Sequence, residues 1–261
     1  MTDNEIEKFE ITQIDDNSRM QTEVAAVREY PVTIIFNGQE LVTLLCTPKD
    51  LNYLAIGYLS SEGFIRNPEE IKNVMVDEVR GVVRVTTTGE TPISQEVAFK
   101  RLITSGCGRG ASFYSAVDAG SQKIESKMEI AAADIFNLVM TFQHASELYR
   151  ITHGVHSAAL CDKKEIIAFS DDIGRHNAID RVFGKCMLEN MPTEDRVILT
   201  SGRCSSEILH KVVKKGVPVI VSVSVPTNLG IKIAESLGIT LIGRVRGRTK
   251  MNIYSNAWRI S

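Results

Sequence analysis

The chain contains no segment that is long and apolar enough to cross a membrane or to direct export. Its most apolar run, residues 217–225, is far shorter than the roughly 20 apolar residues that span a bilayer. Residues 1–20 are acidic and polar and lack the apolar core of a signal peptide. We therefore expect a soluble, cytoplasmic protein without membrane contacts.

An excess of either sign of charge is also absent. The sequence has 30 basic and 32 acidic residues, so no overall field attracts it to nucleic acid or to an anionic membrane surface. We expect no nucleic-acid partner. Any anionic ligand must be held by a local cluster of cations.

The chain also lacks cysteines arranged in pairs. The five cysteines are odd in number and none forms a C-x-x-C motif, which argues against a disulfide framework and a structural zinc site. We expect free thiols and no intrinsic metal. Cys46, Cys161 and Cys186 lie in apolar patterns that are typical of buried core thiols. Cys107 differs from them because it lies among glycines.

The first hundred residues have the pattern of a β-rich region. Two runs, residues 29–47 and 79–89, cluster β-branched side chains between turn signals, and Asn37-Gly38 favours a hairpin turn. Between these runs, residues 48–65 place apolar side chains at helical spacing. We expect one helix to pack on this sheet.

From residue 131 onward the pattern changes to alternating helices and apolar strands. A helical segment opens this half, and short apolar runs then alternate with helical ones, as in a largely parallel sheet that is covered on both faces. The predicted fold class is α/β with two domains. The N-terminal, β-rich domain spans residues 1–110 and ends in the Cys107 segment, and the α/β domain spans residues 111–261.

The segment around Cys107 joins the two halves. Gly106, Gly108 and Gly110 let the backbone turn sharply and leave the thiol accessible, and Arg109 favours the thiolate, which is the nucleophilic form. The segment is equally compatible with a flexible linker whose cysteine is incidental.

Four polar turns follow predicted strands of the second half: residues 170–180, 200–207, 225–228 and 244–250. Because the carboxyl ends of parallel strands meet at one sheet edge, we expect these turns to converge on a ligand site. Simple helix capping by Asp171 or Asp172, and by Ser205 with Glu207, is the alternative for the first two turns. At Cys204, a small buried residue is a better interpretation than a nucleophile.

The last of these turns is strongly basic. Arg244, Arg246, Arg248 and Lys250 lie within seven residues, and guanidinium forks with free backbone amides suit phosphate oxygens. A solvated basic turn without a ligand is the open alternative.

Taken together, these segments resemble the formate dehydrogenase accessory (FdhD) family over about residues 28–260. The motifs that carry the resemblance are residues 153–160, the run SDDIGRHNAIDRVFG at 170–184, SGRCSSEILHKV at 201–212, residues 217–247 and Asn252-Ile253-Tyr254. The resemblance implies a β-rich N-terminal part followed by a cytidine-deaminase-like α/β domain.

The resemblance also implies an activity. A sulfur carrier of this family takes sulfur from a cysteine desulfurase as a persulfide and passes it to the molybdenum cofactor, bis-molybdopterin guanine dinucleotide, before the cofactor enters the formate dehydrogenase apoprotein. Cys107 matches the persulfide cysteine. The cofactor-binding stretch corresponds to Val245, Arg246, Gly247, Arg248, Thr249 and Lys250. A guanine nucleotide is an expected ligand, and a homodimer is the expected assembly.

One departure from the family pattern leaves an alternative function open. Many members carry C-G-x-C-G, whereas this chain has Gly110 in place of the second cysteine. Persulfide chemistry needs only one thiolate, but the sequence is also compatible with a non-catalytic chaperone that delivers the cofactor without transferring sulfur.

Zinc deaminase activity is not expected, because Ala158 stands where the H-x-E motif needs its glutamate and no P-C-x-x-C follows.

Overall fold

The computed structural model describes residues 4–89 and 123–261. Cys107 and the expected domain boundary after residue 110 lie outside the described residues. The strands are β1 (Ile6–Ile14), β2 (Arg19–Val27), β3 (Tyr30–Phe36), β4 (Gln39–Cys46), β5 (Ile71–Asp77), β6 (Val82–Thr87), β7 (His156–Cys161), β8 (Ile166–Asp172), β9 (Val197–Thr200), β10 (Val219–Ser222), β11 (Thr240–Arg246) and β12 (Lys250–Ser255). The helices are α1 (Leu51–Glu62), α2 (Ala132–Ala145), α3 (Glu147–Thr152), α4 (Arg175–Leu188), α5 (Ser206–Lys214) and α6 (Asn228–Ser236), with 3-10 turns at Pro68–Glu70 and Ala257–Arg259.

The N-terminal part is β-rich, as expected. β1 and β2 form an antiparallel hairpin, and a separate four-stranded sheet has the order β4-β3-β6-β5. Asn37 and Gly38 connect β3 to β4 with φ angles of 48° and 82°, the positive values that a tight hairpin turn requires. The helix expected on this sheet is α1, and its buried residues share a core with β3, β4 and β6.

The second half is a layered α/β arrangement. Its six-stranded sheet has the order β12-β11-β10-β9-β7-β8, and its central strands β9, β10 and β11 are parallel. β12 and β7 are antiparallel to their neighbours, so the sheet is mixed around a parallel centre. Helices α4, α5 and α6 cover one face and α2 covers the other, each over its own apolar core.

The two halves meet where α1 crosses α4 at two glycines. A Cβ added to Gly57 would lie 1.7 Å from the Asp180 carbonyl oxygen, and one added to Gly184 would lie 1.8 Å from the Tyr53 carbonyl oxygen. The backbones therefore touch without side chains between them. This contact, in the middle of α4, positions the helix whose first turn carries part of the candidate site.

No helix in the described ranges is both long enough and apolar enough to span a membrane.

Candidate functional site

The four polar turns lie together at one edge of the six-stranded sheet. They follow the carboxyl ends of β8, β9, β10 and β11. Hydrogen bonds join them: the Thr227 amide donates to the Cys204 carbonyl (3.0 Å), and the Arg244 amide donates to the carbonyl of Ser224 (2.7 Å), just before the third turn. We call these four turns, with the residue that opens β7, the polar edge.

One side of the turn after β8 has a structural role. Asp172 is fully buried and accepts hydrogen bonds from the Thr47 amide (3.1 Å), the Gly174 amide (2.8 Å), Asn177 Nδ2 (2.9 Å) and Arg181 Nη2 (2.7 Å). Arg181 also donates to the Thr47 carbonyl (2.6 Å). These side chains fasten the turn to the chain just beyond β4, so they do not face a ligand.

The other side of the same turn faces the turn after β9. A Cβ at Gly202 would lie 2.8 Å from Arg175 Cβ, so the arginine side chain packs directly on this glycine. His176 Nε2 lies 3.3 Å from Glu207 Oε2. Arg175, His176 and Asn177 all belong to the predicted turn 170–180. Arg175 and His176 face the turn after β9, whereas Asn177 faces Asp172.

His176 is neutral in this position. Burial, followed by the cations Lys211 and Arg175, lowers its pKa from 6.5 to about 3. A carboxylate at 3.3 Å favours the charged ring, but burial and the nearby cations outweigh it. The 3.3 Å approach of His176 Nε2 to Glu207 Oε2 places the ring at the polar edge beside the turn after β9.

His156 and Ser201 form a second polar pair. Ser201 belongs to the predicted turn 200–207, whereas His156 lay outside the four predicted turns. His156 Nδ1 and Ser201 Oγ are 3.1 Å apart, and Ser201 Oγ accepts from the Ser157 amide (2.9 Å). Burial, with Arg175 and Arg203 close by, lowers the pKa of His156. The signal was topological, because His156 opens β7 beside the carboxyl end of antiparallel β9. A neutral ring, a hydroxyl and two guanidinium groups form a region suited to an anion.

The basic turn after β11 is a hairpin with an exposed, cationic tip, which we call the basic hairpin (residues 244–250). Val245 is buried in the core beneath it, whereas the other residues are exposed. Arg246 pairs with Lys250 across the ladder, and Gly247 has a φ of 55°. None of its four cations forms an ion pair with a carboxylate of the described residues.

The four cysteines within the described residues are poor nucleophiles. All four are buried, and burial raises their pKa values, to about 12 for Cys46, Cys161 and Cys204 and to about 11 for Cys186. Cys204 lies in the polar edge but is 0% exposed, which agrees with the small buried residue expected there. Almost no thiolate forms at these sites at neutral pH.

Three comparisons place the chain among known proteins. The FdhD/NarQ family model matches residues 27–261. The sulfur carrier protein FdhD of Bacillus subtilis is 42% identical over 97% of the chain and 94% of that protein, and the sulfur carrier protein FdhD of Listeria monocytogenes serotype 4b is 40% identical over 96% and 97%. The crystal structure of a candidate formate dehydrogenase accessory protein from Desulfotalea psychrophila has the same fold, with a TM-score of 0.81 at 23% identity over 98% of this chain and 99% of that one.

Proposed function

Since the chain belongs to the FdhD/NarQ family, we propose that it is a sulfur carrier that takes sulfur from a cysteine desulfurase as a Cys107 persulfide. It then passes the sulfur to the molybdenum cofactor, bis-molybdopterin guanine dinucleotide, before the cofactor enters formate dehydrogenase. The cofactor is the substrate of this step. We expect sulfur transfer to take place in the cytoplasm, where thiols stay reduced.

The burial of the other four cysteines supports Cys107 as the sulfur carrier. Sulfur exchange requires a thiolate that can attack a persulfide, and burial keeps the thiols of Cys46, Cys161, Cys186 and Cys204 protonated and out of reach. Cys107 remains, with glycines on both sides and Arg109 nearby in sequence. A single thiolate can accept sulfur and hand it on, so Gly110 in place of a second cysteine does not prevent transfer.

The convergence of the polar turns at one sheet edge is the single observation that supports a binding site for the cofactor. The exposed cations of the basic hairpin suit the phosphates of a guanine dinucleotide. The neighbouring group of His156, Ser201, Arg175 and Arg203 extends the same edge toward β9 and β8. One end of the ligand would lie on the hairpin and the other on this inner group.

Sulfur transfer is tested by incubating the protein with a cysteine desulfurase and cysteine, followed by peptide mass spectrometry without reductant. We expect an adduct with the mass of one sulfur atom on Cys107 and on none of the four buried cysteines, because those lack thiolate. Cys107→Ser should abolish the adduct and formate dehydrogenase maturation. A protein that binds cofactor and supports maturation without any adduct is a chaperone that does not handle sulfur.

Binding at the basic hairpin predicts a large effect of one arginine. Charge-assisted hydrogen bonds contribute about 1.5–3 kcal/mol each, so Arg246→Ala should weaken GDP binding about tenfold or more in calorimetry. Lys232→Ala, an exposed cation on α6, is the matched control and should leave the affinity unchanged. Unchanged affinity in both Arg246→Ala and Arg248→Ala moves the phosphate site elsewhere, and equal affinity for ADP removes recognition of the base.

The expected homodimer stays a prediction. Light scattering at micromolar concentration separates it from a monomer, whose mass is 28.9 kDa.

A further inference from the structure

A second pocket lies at the opposite edge of the six-stranded sheet from the polar edge. Its volume is about 480 Å³, and it lies between residues 123–127 on one side and Gly238, Asn256, Trp258 and Arg259 on the other. Pockets that bind small ligands commonly measure about 300–1,000 Å³. The size is therefore sufficient for a ligand of one ring and one charged group.

The position of this pocket separates it from the proposed cofactor site. Gly238 precedes β11, whereas the basic hairpin follows the other end of that strand. Seven strand residues at about 3.3 Å each place the two sites about 20 Å apart. A small ligand cannot occupy both.

Arg259 forms the inner wall of the pocket. Its side chain is 1% exposed; Nη1 donates to the Gly238 carbonyl (2.8 Å) and Nη2 to the Ser126 carbonyl (2.9 Å). Its Nε is buried without a hydrogen-bond partner among the described residues.

An aromatic ring forms the outer wall. Trp258 is 51% exposed, and the guanidinium carbon of Arg259 lies 4.1 Å from its ring centroid. The arginine braces the indole, and the exposed part of the ring offers a flat apolar surface to a planar ligand.

The charges that line the pocket favour an anion. Lys123 and Lys127 are exposed at its rim and Arg259 lies inside it. Two carboxylates oppose these three cations: Glu125 in the lining, and Asp195, which accepts a hydrogen bond from Ser126 Oγ (2.6 Å) and interacts with Arg259. The excess of cations is local, since the whole chain carries a formal net charge of −2. It cannot therefore be ascribed to a generally basic surface.

We propose that this pocket binds a small anion that carries a planar ring, with the ring against Trp258 and the anionic group between Lys123 and Lys127, where the buried guanidinium of Arg259 adds positive charge from behind. Nucleoside monophosphates have this chemistry and are the probes of choice. The proposal is independent of the proposed function, because it concerns neither Cys107 nor the polar edge.

Trp258 is the sole tryptophan of the chain, so its fluorescence reports directly on this pocket. We expect AMP or GMP to change the emission saturably, and Lys127→Ala to weaken that response about tenfold, as the loss of one charge-assisted contact predicts. Lys232→Ala should leave it unchanged. Inorganic phosphate at equal ionic strength should bind more weakly, because it has no ring.

The same titration of the Arg246→Ala variant distinguishes nucleotide binding at the basic hairpin from binding in the second pocket. The emission response should persist there if the ligand occupies the second pocket, and its loss would place the nucleotide at the hairpin and overturn the proposal. A flat titration up to millimolar nucleotide overturns it as well. Equal affinity for phosphate and the nucleotides would also overturn it, because the ring would then contribute nothing.

Discussion

Gly184→Ala should unfold the protein or lower its free energy of unfolding by more than about 3 kcal/mol, although intrinsic helix propensity predicts the opposite. In an ordinary helix interior, alanine is about 1 kcal/mol more favourable than glycine. Here the new methyl would lie 1.8 Å from the Tyr53 carbonyl oxygen and 2.7 Å from the Gly57 amide nitrogen. These are backbone atoms of α1, which no rotamer change can move, so the two helices must separate. The free-energy cost therefore exceeds the ordinary cost of overpacking a core.

Urea unfolding followed by circular dichroism measures this loss. Gly89→Ala is the matched control, because a Cβ there meets nothing within 4 Å among the described residues, and it should stay within about 0.5 kcal/mol of wild type. Gly57→Ala, whose methyl would lie 1.7 Å from the Asp180 carbonyl oxygen, should reproduce the loss. If Gly184→Ala instead stabilises the protein, α1 and α4 are not in backbone contact.

Periodic apolar patterns predicted most of the fold. These patterns are local: each helix or strand buries one face, and the spacing of its apolar residues shows the period of that face. They predicted the helix that begins near residue 131, the alternating elements after it and the helix at residues 51–62. The β1–β2 hairpin gave no such signal. Its strands are mostly exposed, so neither face needed to be consistently apolar, and residues 1–20 read simply as acidic and polar.

The candidate site was predictable only in part. Convergence of the four turns follows from the order and direction of the strands, which the alternating pattern implies. The division of roles within residues 170–180 could not be predicted, because it depends on Thr47, which lies 125 residues from Asp172 in the chain. Neighbouring helix positions point about 100° apart, so His176 faces Glu207 while Asn177 faces Asp172.

The buried position of Asp172 gives the second large expected effect. Asp172→Ala should lower the free energy of unfolding by about 3–5 kcal/mol, because it leaves the Arg181 guanidinium buried without its counter-ion. The Thr47 and Gly174 amides and Asn177 Nδ2 lose their acceptor as well. The turn that carries Arg175 would then lose its attachment, so we expect weaker ligand binding at the polar edge even in the folded fraction.

Asp134→Ala is the matched control, since Asp134 pairs with a mostly exposed lysine, Lys164, at 2.8 Å. A pair with one mostly exposed partner contributes about 0–1 kcal/mol, and a carboxylate in the first turn of a helix contributes about 0.3–1 kcal/mol. The same substitution should therefore cost less than about 2 kcal/mol in urea unfolding, below the loss expected for Asp172→Ala. Adding Arg181→Met to Asp172→Ala should restore part of the lost stability, because it removes the uncompensated charge and leaves an apolar side chain of similar length. If the double variant is as unstable as Asp172→Ala alone, the cost comes from the lost amide acceptor and not from the buried guanidinium.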